Sequence, residues 1–337
     1  MSQPGVSLIV CTHNGAARLP AALERLAAQR AAPGLRWEVL VVDNASTDDT
    51  AAVARAAWPA EAPAPLRVIA EPRAGVGHAR VRGLEEAAYD VAGFVDDDNW
   101  LAPDWVQCAW EVMRAHPDVG ACGSRGEPVF ESGAPPAWFA PNAGSYAVGD
   151  QGSPGDVGPG PLWGAALVVR RTAWHALREA GFEPALGGRR GRVRAAGEDT
   201  ELCWALNHAG WRLWYEPRLR FSHAIPASRL TWEYLRAIHV GFGIASVTMD
   251  HYYVAARPAA QRRRRLESWT WRVLAAAGRS TWYAARALVV PRVDRRDALR
   301  MHVCRGRLRG LLSEWSTFGT RAARAREMVR RLERARR

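Results

Sequence analysis

Apolar runs alternate with helix-like stretches through the first hundred residues. Val6-Ser7-Leu8-Ile9-Val10-Cys11 reads as a buried strand, and residues 19–29, with Leu19, Leu23 and Leu26 near helical spacing, read as a helix. Val39-Leu40-Val41-Val42 is a second buried strand. It ends in Asp43-Asn44-Ala45-Ser46-Thr47-Asp48, a polar turn able to cap a helix starting near Thr50. Leu66-Arg67-Val68-Ile69 supplies a third strand, residues 77–89 a helix, and Val91-Ala92-Gly93-Phe94-Val95 a fourth strand. This order predicts an α/β fold, a Rossmann-like, mostly parallel sheet flanked by helices. Thr12, Asp43, Glu71 and Asp96 each follow a strand directly. Their side chains should gather at the carboxyl edge of the sheet, where open α/β folds bind ligands.

Further on, residues 103–115 read as a helix, whereas residues 123–162 are rich in Gly, Pro and Ser and predict a long loop over the site. Leu167-Val168-Val169 resumes the strand pattern. Residues 187–197 form a Gly/Arg-rich loop, and residues 198–209 a helix with Leu202, Ala205, Leu206 and Ala209 on its buried side. Beyond Thr231 the pattern is helical and rich in arginine. The expected division is therefore an α/β domain over residues 1–230 and a helical region over residues 231–337.

Composition narrows the class. With 337 residues, 48% of them hydrophobic, the chain can bury a sizeable core. Five cysteines are an odd number without metal-site spacing, which favours a reducing cytosol. The N-terminus lacks the pattern of a signal peptide, and no apolar run approaches the ~20 residues that span a bilayer. A cytoplasmic protein is expected. The net charge is +12 and, with no lysine, all of the positive charge is guanidinium. Residues 255–337 hold 23 arginines against six acidic residues, so the preceding part of the chain is net acidic. That split marks a basic C-terminal region and gives no reason to expect a nucleic-acid partner.

Candidate chemistry centres on Asp96-Asp97-Asp98. In an extended segment Asp96 and Asp98 point the same way, and a hard cation such as Mn²⁺ or Mg²⁺ takes such oxygen ligands, with phosphates completing its shell. The structural alternative is a polar strand end followed by a helix cap at Asn99 or Asp104. A cation there would stabilise charge on a departing diphosphate, and Arg80 could add a phosphate contact. Asp199, at the start of the helix over residues 198–209, would suit a general base, with Glu198 as the less preferred choice and an ordinary helix cap as the bland reading. His223 could ligate the metal, although a lone histidine is more often structural. Trp163, Trp204 and Trp138 could stack on a ring or simply pack.

Four segments together resemble family 2 glycosyltransferases of the GT-A fold. They are Val6-Ser7-Leu8-Ile9-Val10-Cys11-Thr12-His13-Asn14, Val41-Val42-Asp43-Asn44-Ala45-Ser46-Thr47-Asp48, Phe94-Val95-Asp96-Asp97-Asp98-Asn99 and Gly197-Glu198-Asp199-Thr200-Glu201-Leu202. The likeness spans roughly residues 5–225. It implies an inverting, metal-dependent transfer of sugar from a nucleoside-diphosphate donor to a hydroxyl of a glycan or lipid-linked acceptor. By the same resemblance Thr12, Asp43, Arg80 and Asp96 would bind the donor, Asp98 and His223 the Mn²⁺ or Mg²⁺, and Asp199 would be the base. Trp163 and Glu198 would lie near the sugar or acceptor, and residues 144–163 would form a lid. Leu213-Trp214-Tyr215-Glu216-Pro217 and the stretch His223 to Trp232 resemble a bacterial subgroup linked to polysaccharide assembly.

Two competing functions differ in what they require. A nucleotidyltransferase acting on a sugar phosphate would favour a Gly-rich phosphate loop after the first strand, where Thr12-His13-Asn14-Gly15 stands instead. A carbohydrate-binding module could use the tryptophans but would not need Asp96, Asp98 and Asp199. In the basic region, Leu266, Trp269, Val273, Leu274 and Ala277 follow helical spacing after Arg262-Arg263-Arg264-Arg265. Peripheral contact with an anionic membrane at the cytoplasmic face of the inner membrane and packing beneath a solvated charged face are both open readings there.

Overall fold

The four predicted N-terminal strands are present in the computed structural model, which describes residues 3–188, 197–258, 261, 267–289 and 295–336. They are β1 (Gln3–Thr12), β2 (Trp37–Asn44), β3 (Leu66–Glu71) and β4 (Tyr89–Asp96), joined through α1 (Leu19–Ala27), α2 (Thr50–Ala57) and α3 (Val76–Glu86). Each short crossover returns the chain parallel to the strand before it, giving the all-parallel half-sheet β3-β2-β1-β4. The period-2 alternation of β1 decides which helices cover it. Val6, Leu8 and Val10 join one core with Leu19, Leu23 and Leu26 of α1. Ile9 and Cys11 join the other with Ala79 and Leu84 of α3.

The second half of the sheet is mixed. After β5 (Asn99–Leu101), α4 (Trp105–Ala115), β6 (Val119–Phe130), β7 (Gly155–Asp156) and β8 (Val168–Arg170), the chain forms α5 (Arg171–Glu179), α6 (Glu198–His208) and β9 (Arg212–Ile225). The order continues β4-β8-β6-β9-β5; β8 is antiparallel to both β4 and β6, and β6 is parallel to β9. The expected loop over residues 123–162 is corrected in its first part, because β6 runs through Phe130. Its glycines are there for close approach: a Cβ on Gly126 would lie 2.0 Å from the Ala147 carbonyl oxygen, and one on Gly123 2.6 Å from the Gln151 side-chain amide nitrogen. Composition that imitates a loop here serves a crowded strand.

Beyond β9, helices α7 (Trp232–Ala255), α8 (Trp269–Val289), α9 (Arg295–Ser313) and α10 (Phe318–Ala335) follow. Thr231 caps α7 by accepting from the Tyr234 N–H. Helices α7 and α9 cross in backbone contact, since a Cβ on Gly306 would stand 2.0 Å from the Val240 carbonyl oxygen and one on Gly243 2.1 Å from that of Val303. Ala325 and Val329 of α10 pack with Ala245, Met249 and Tyr252 of α7 and with Leu186, so these helices share a core with the segment preceding α6. Trp269 and Val273 pack inward beside Leu311 and Phe318, whereas Leu274 is exposed. The Arg262 to Arg265 run and Leu266 lie outside the described residues. No helix among the described residues is long and apolar enough to cross a membrane.

Candidate active site

Parallel register fixes the starting points of the site. Thr12 pairs with Asp43, Cys11 with Asp96 and Asn44 with Glu71, which brings the four polar strand exits to one sheet edge. A cleft of about 900 Å³ opens there, walled on its far side by α6, by residues 144–147 and 161–165, and by α7.

Each carboxylate of the acidic run has a different partner. Asp96 Oδ1 lies 3.5 Å from Nη2 of Arg80, whose Nη1 donates to Glu198 Oε1 at 3.1 Å. Arg80 also lies over the Phe94 ring, 5.1 Å from its centroid. Burial opposes the charge on Arg80, but Asp96 and Glu198 outweigh it and raise its pKa. Burial raises the pKa of Glu198 too, against the pull of Arg80. Asp97 takes Nε and Nη2 of Arg18 at 2.9 Å each and the Thr12 hydroxyl at 2.7 Å. It therefore braces the turn after β1. Asp98, 6% exposed, accepts from Arg229 Nη1 at 2.6 Å and stands 3.6 Å from His223 Nε2. Burial pushes its carboxyl up, yet His223 and Arg229 prevail and hold it well below the usual carboxylate range.

Asp199 lies in the first turn of α6 and is held by backbone donors. Thr200 N–H donates to Oδ1 at 2.7 Å and Gly164 N–H to Oδ2 at 2.9 Å. The Thr200 hydroxyl also donates to Oδ1, at 3.4 Å, whereas the single bond to Oδ2 leaves that oxygen a lone pair to accept a proton. A Cβ at residue 164 would meet Arg80 Nη1 at 2.2 Å, so a larger residue there has to displace the guanidinium. The neighbouring Trp163 is fixed through its N–H to Gln151 Oε1 at 2.7 Å, and it lines the cleft.

His223 is oriented for its Nε2 to face Asp98. Its Nδ1–H donates to the Tyr146 carbonyl at 2.7 Å, and Arg229 Nη1 lies 3.4 Å from Nε2. A carboxylate beside an imidazole so oriented is a donor set that suits Mn²⁺ or Mg²⁺ in part. No group of three or more His, Cys, Asp or Glu placed to hold a metal occurs among the described residues, so ligand oxygens would have to complete the shell.

Thr12, Arg80, Asp96, Asp98, Trp163, Glu198, Asp199 and His223 all line the cleft. Asp43 is placed beside it: its Oδ1 accepts from the Ser46 N–H at 3.3 Å, while Asn44 reaches the cleft and holds the turn after β3 through Gly75 and Arg73. Trp204 stacks on His208 and Tyr252, and Trp138 packs against Trp232. Arg18, Tyr146 and Arg229 were not singled out by the sequence. Arg229 stands 131 residues from Asp98, so local spacing carries no sign of their contact.

A parallel half-sheet with an acidic strand end, joined to a mixed half carrying a second carboxylate and a histidine, defines the GT-A class. Residues 7–135 match Glycosyl transferase family 2. The succinoglycan biosynthesis protein ExoM of Rhizobium meliloti (strain 1021) is 26% identical over 326 residues, covering 94% of this chain and 96% of that protein. The putative glycosyltransferase EpsH of Bacillus subtilis (strain 168) is 27% identical over 127 residues, 38% of this chain and 36% of that one. The mannosyltransferase PcManGT from Pyrobaculum calidifontis, solved with GDP-Man and Mn²⁺, shares the fold at a TM-score of 0.58 and 19% identity, over 93% of this chain and 89% of that one. The chain is thus similar to glycosyl transferase family 2 over residues 7–135, and to a bacterial polysaccharide-biosynthesis protein over most of its length.

Proposed function

We propose that the protein is an inverting, divalent-metal-dependent glycosyltransferase that adds a sugar to a hydroxyl of a glycan or lipid-linked acceptor in the assembly of a bacterial polysaccharide. The observation that carries this reading is the meeting of Asp96, Asp98 and Asp199 in one cleft at the carboxyl edge of the sheet. In it Asp199 takes the proton of the acceptor hydroxyl as the oxygen bonds to the anomeric carbon. The bond from that carbon to the diphosphate oxygen breaks, and its electron pair leaves with the nucleoside diphosphate. A single displacement inverts the anomeric centre and needs no covalent sugar on the enzyme.

Asp98 and His223 would hold the cation, which would supply charge neutralisation to the leaving diphosphate. Thr12, Asp43, Arg80 and Asp96 serve the donor side, and Trp163 and Glu198 the sugar or acceptor side. Glu198 is the weaker base because its carboxylate is spent on Arg80, whereas Oδ2 of Asp199, with one backbone donor, keeps a lone pair. Asp199→Asn should retain binding of the nucleotide sugar and lose roughly 100-fold or more in transfer, the span of a general base. A panel of nucleotide sugars assayed with Mn²⁺ and with Mg²⁺ checks this, and undiminished transfer by the variant would remove Asp199 from the role.

A second feature favours a membrane partner. On α8, Trp271, Leu274 and Trp282 fall on one face at helical spacing and remain exposed, with Arg286 lying over the Trp282 ring. An apolar strip set among arginines suits the interface of an anionic bilayer, where a lipid-linked acceptor would be presented. The reading places the enzyme at the cytoplasmic face of the inner membrane.

A further inference from the structure

Asp98 is claimed twice. It is the carboxylate to which the proposed reading gives the divalent cation, and its Oδ2 already accepts a 2.6 Å charge-assisted bond from Arg229. The same Arg229 nitrogen lies 3.4 Å from His223 Nε2, the other atom of that donor set. A guanidinium touching both ligands occupies their shared volume, and like charges repel at that range. Cation and Arg229 therefore cannot sit there together.

We infer that Arg229 is a tethered counter-cation which holds Asp98 in the donor-free enzyme and is displaced when metal and donor arrive. This rests on the reading of Asp98 and His223 as metal ligands. The surroundings suit a side chain that moves while its backbone stays. The Tyr146 hydroxyl donates to the Arg229 carbonyl at 3.0 Å, and the residue closes the 3-10 turn Ala227–Arg229. The side chain nonetheless keeps 23% of its surface open and lines the cleft.

A displaced guanidinium needs an anion, and the diphosphate of the donor offers one in the same cleft. Metal binding is thereby coupled to donor binding. Without nucleotide, the cation must dislodge Arg229 with nothing to receive it. With nucleotide, Arg229 exchanges Asp98 for phosphate oxygens, and both ligands gain by the same factor.

The test is a titration of Mn²⁺ followed by electron paramagnetic resonance, which reads free aquo ion and does not depend on turnover. Wild type, Arg229→Ala, Arg229→Lys and Asp98→Asn are compared with Mn²⁺ alone and with UDP or GDP added. Arg229→Ala should bind Mn²⁺ without nucleotide about tenfold more tightly than wild type, within the usual range of such couplings, and should gain less on adding nucleotide. Arg229→Lys retains the charge and should stay near wild type, and thermal melting establishes that each variant is folded. Equal or weaker Mn²⁺ binding by a folded Arg229→Ala protein overturns the inference. If Asp98→Asn abolishes Mn²⁺ binding in that case, the metal reading stands alone. Mn²⁺ binding that survives Asp98→Asn sinks both.

Discussion

At the scale of single residues, the floor of the cleft depends on one buried cation. Arg80 separates two carboxylates, and removing it leaves Glu198, at 12% side-chain exposure, facing Asp96 without compensation. Arg80→Ala should lower stability by about 3 kcal/mol, the lower end for breaking a buried pair, because Asp96 keeps 32% of its side-chain surface. Urea denaturation measures this, and a midpoint unchanged from wild type would show that the bridge adds nothing. Much of this centre was legible in the sequence, since Asp96, Asp98 and Asp199 each stand where a strand ends or a helix begins. Their partners were not. Arg18 reaches Asp97 across 79 residues and Tyr146 reaches His223 across 77, and such contacts follow from tertiary placement that no local period encodes. Asp97 illustrates the limit: the sequence leaves it without a role beside Asp96 and Asp98, and it is a brace for the turn after β1.

At the scale of elements, glycines carry opposite messages that only packing resolves. Gly306 lets α9 lie directly on the α7 backbone, whereas a Cβ on Gly278 of α8 would meet nothing within 4 Å. Gly306→Ala should therefore destabilise by about 1–3 kcal/mol through overpacking. Gly278→Ala should stabilise by roughly 0.5–1 kcal/mol through helix propensity alone. Melting temperatures of the two variants moving in the same direction would contradict the crossing. The same ambiguity hid β6. Gly120, Gly123 and Gly126 keep β6 from showing the apolar run by which β1, β2 and β4 were recognised, yet each makes room for a neighbour: Trp211, Gln151 and the Ala147 carbonyl. Buried parallel strands announce themselves by apolar runs. A strand crossed closely by other segments does not.

At the scale of the molecule, charge and shape are distributed unequally. The basic helices present Trp271 and Trp282 outward, at 47% and 52% exposure, while residues 1–254 are net acidic. Replacing both tryptophans with serine should reduce co-sedimentation with phosphatidylglycerol vesicles several-fold, at about 0.5–1 kcal/mol or more for each interfacial side chain removed. Transfer to a soluble acceptor should be unaffected. Equal sedimentation of the double variant, at low and at high salt, would count against the membrane reading.

Helix α7 also bears on how separable the two regions are. Phe242, Ser246 and Met249 line the cleft, and the Tyr252 hydroxyl donates to Glu201 at 2.8 Å, two residues from Asp199. A fragment ending near residue 230 would thus lose one wall of the cleft along with the helices beyond it. Chimeras joined there would take the sheet-edge wall of the cleft from one parent and the α7 wall from the other. An exchange that keeps the cleft whole has to carry α7, and with it α9 and α10, which pack on that helix.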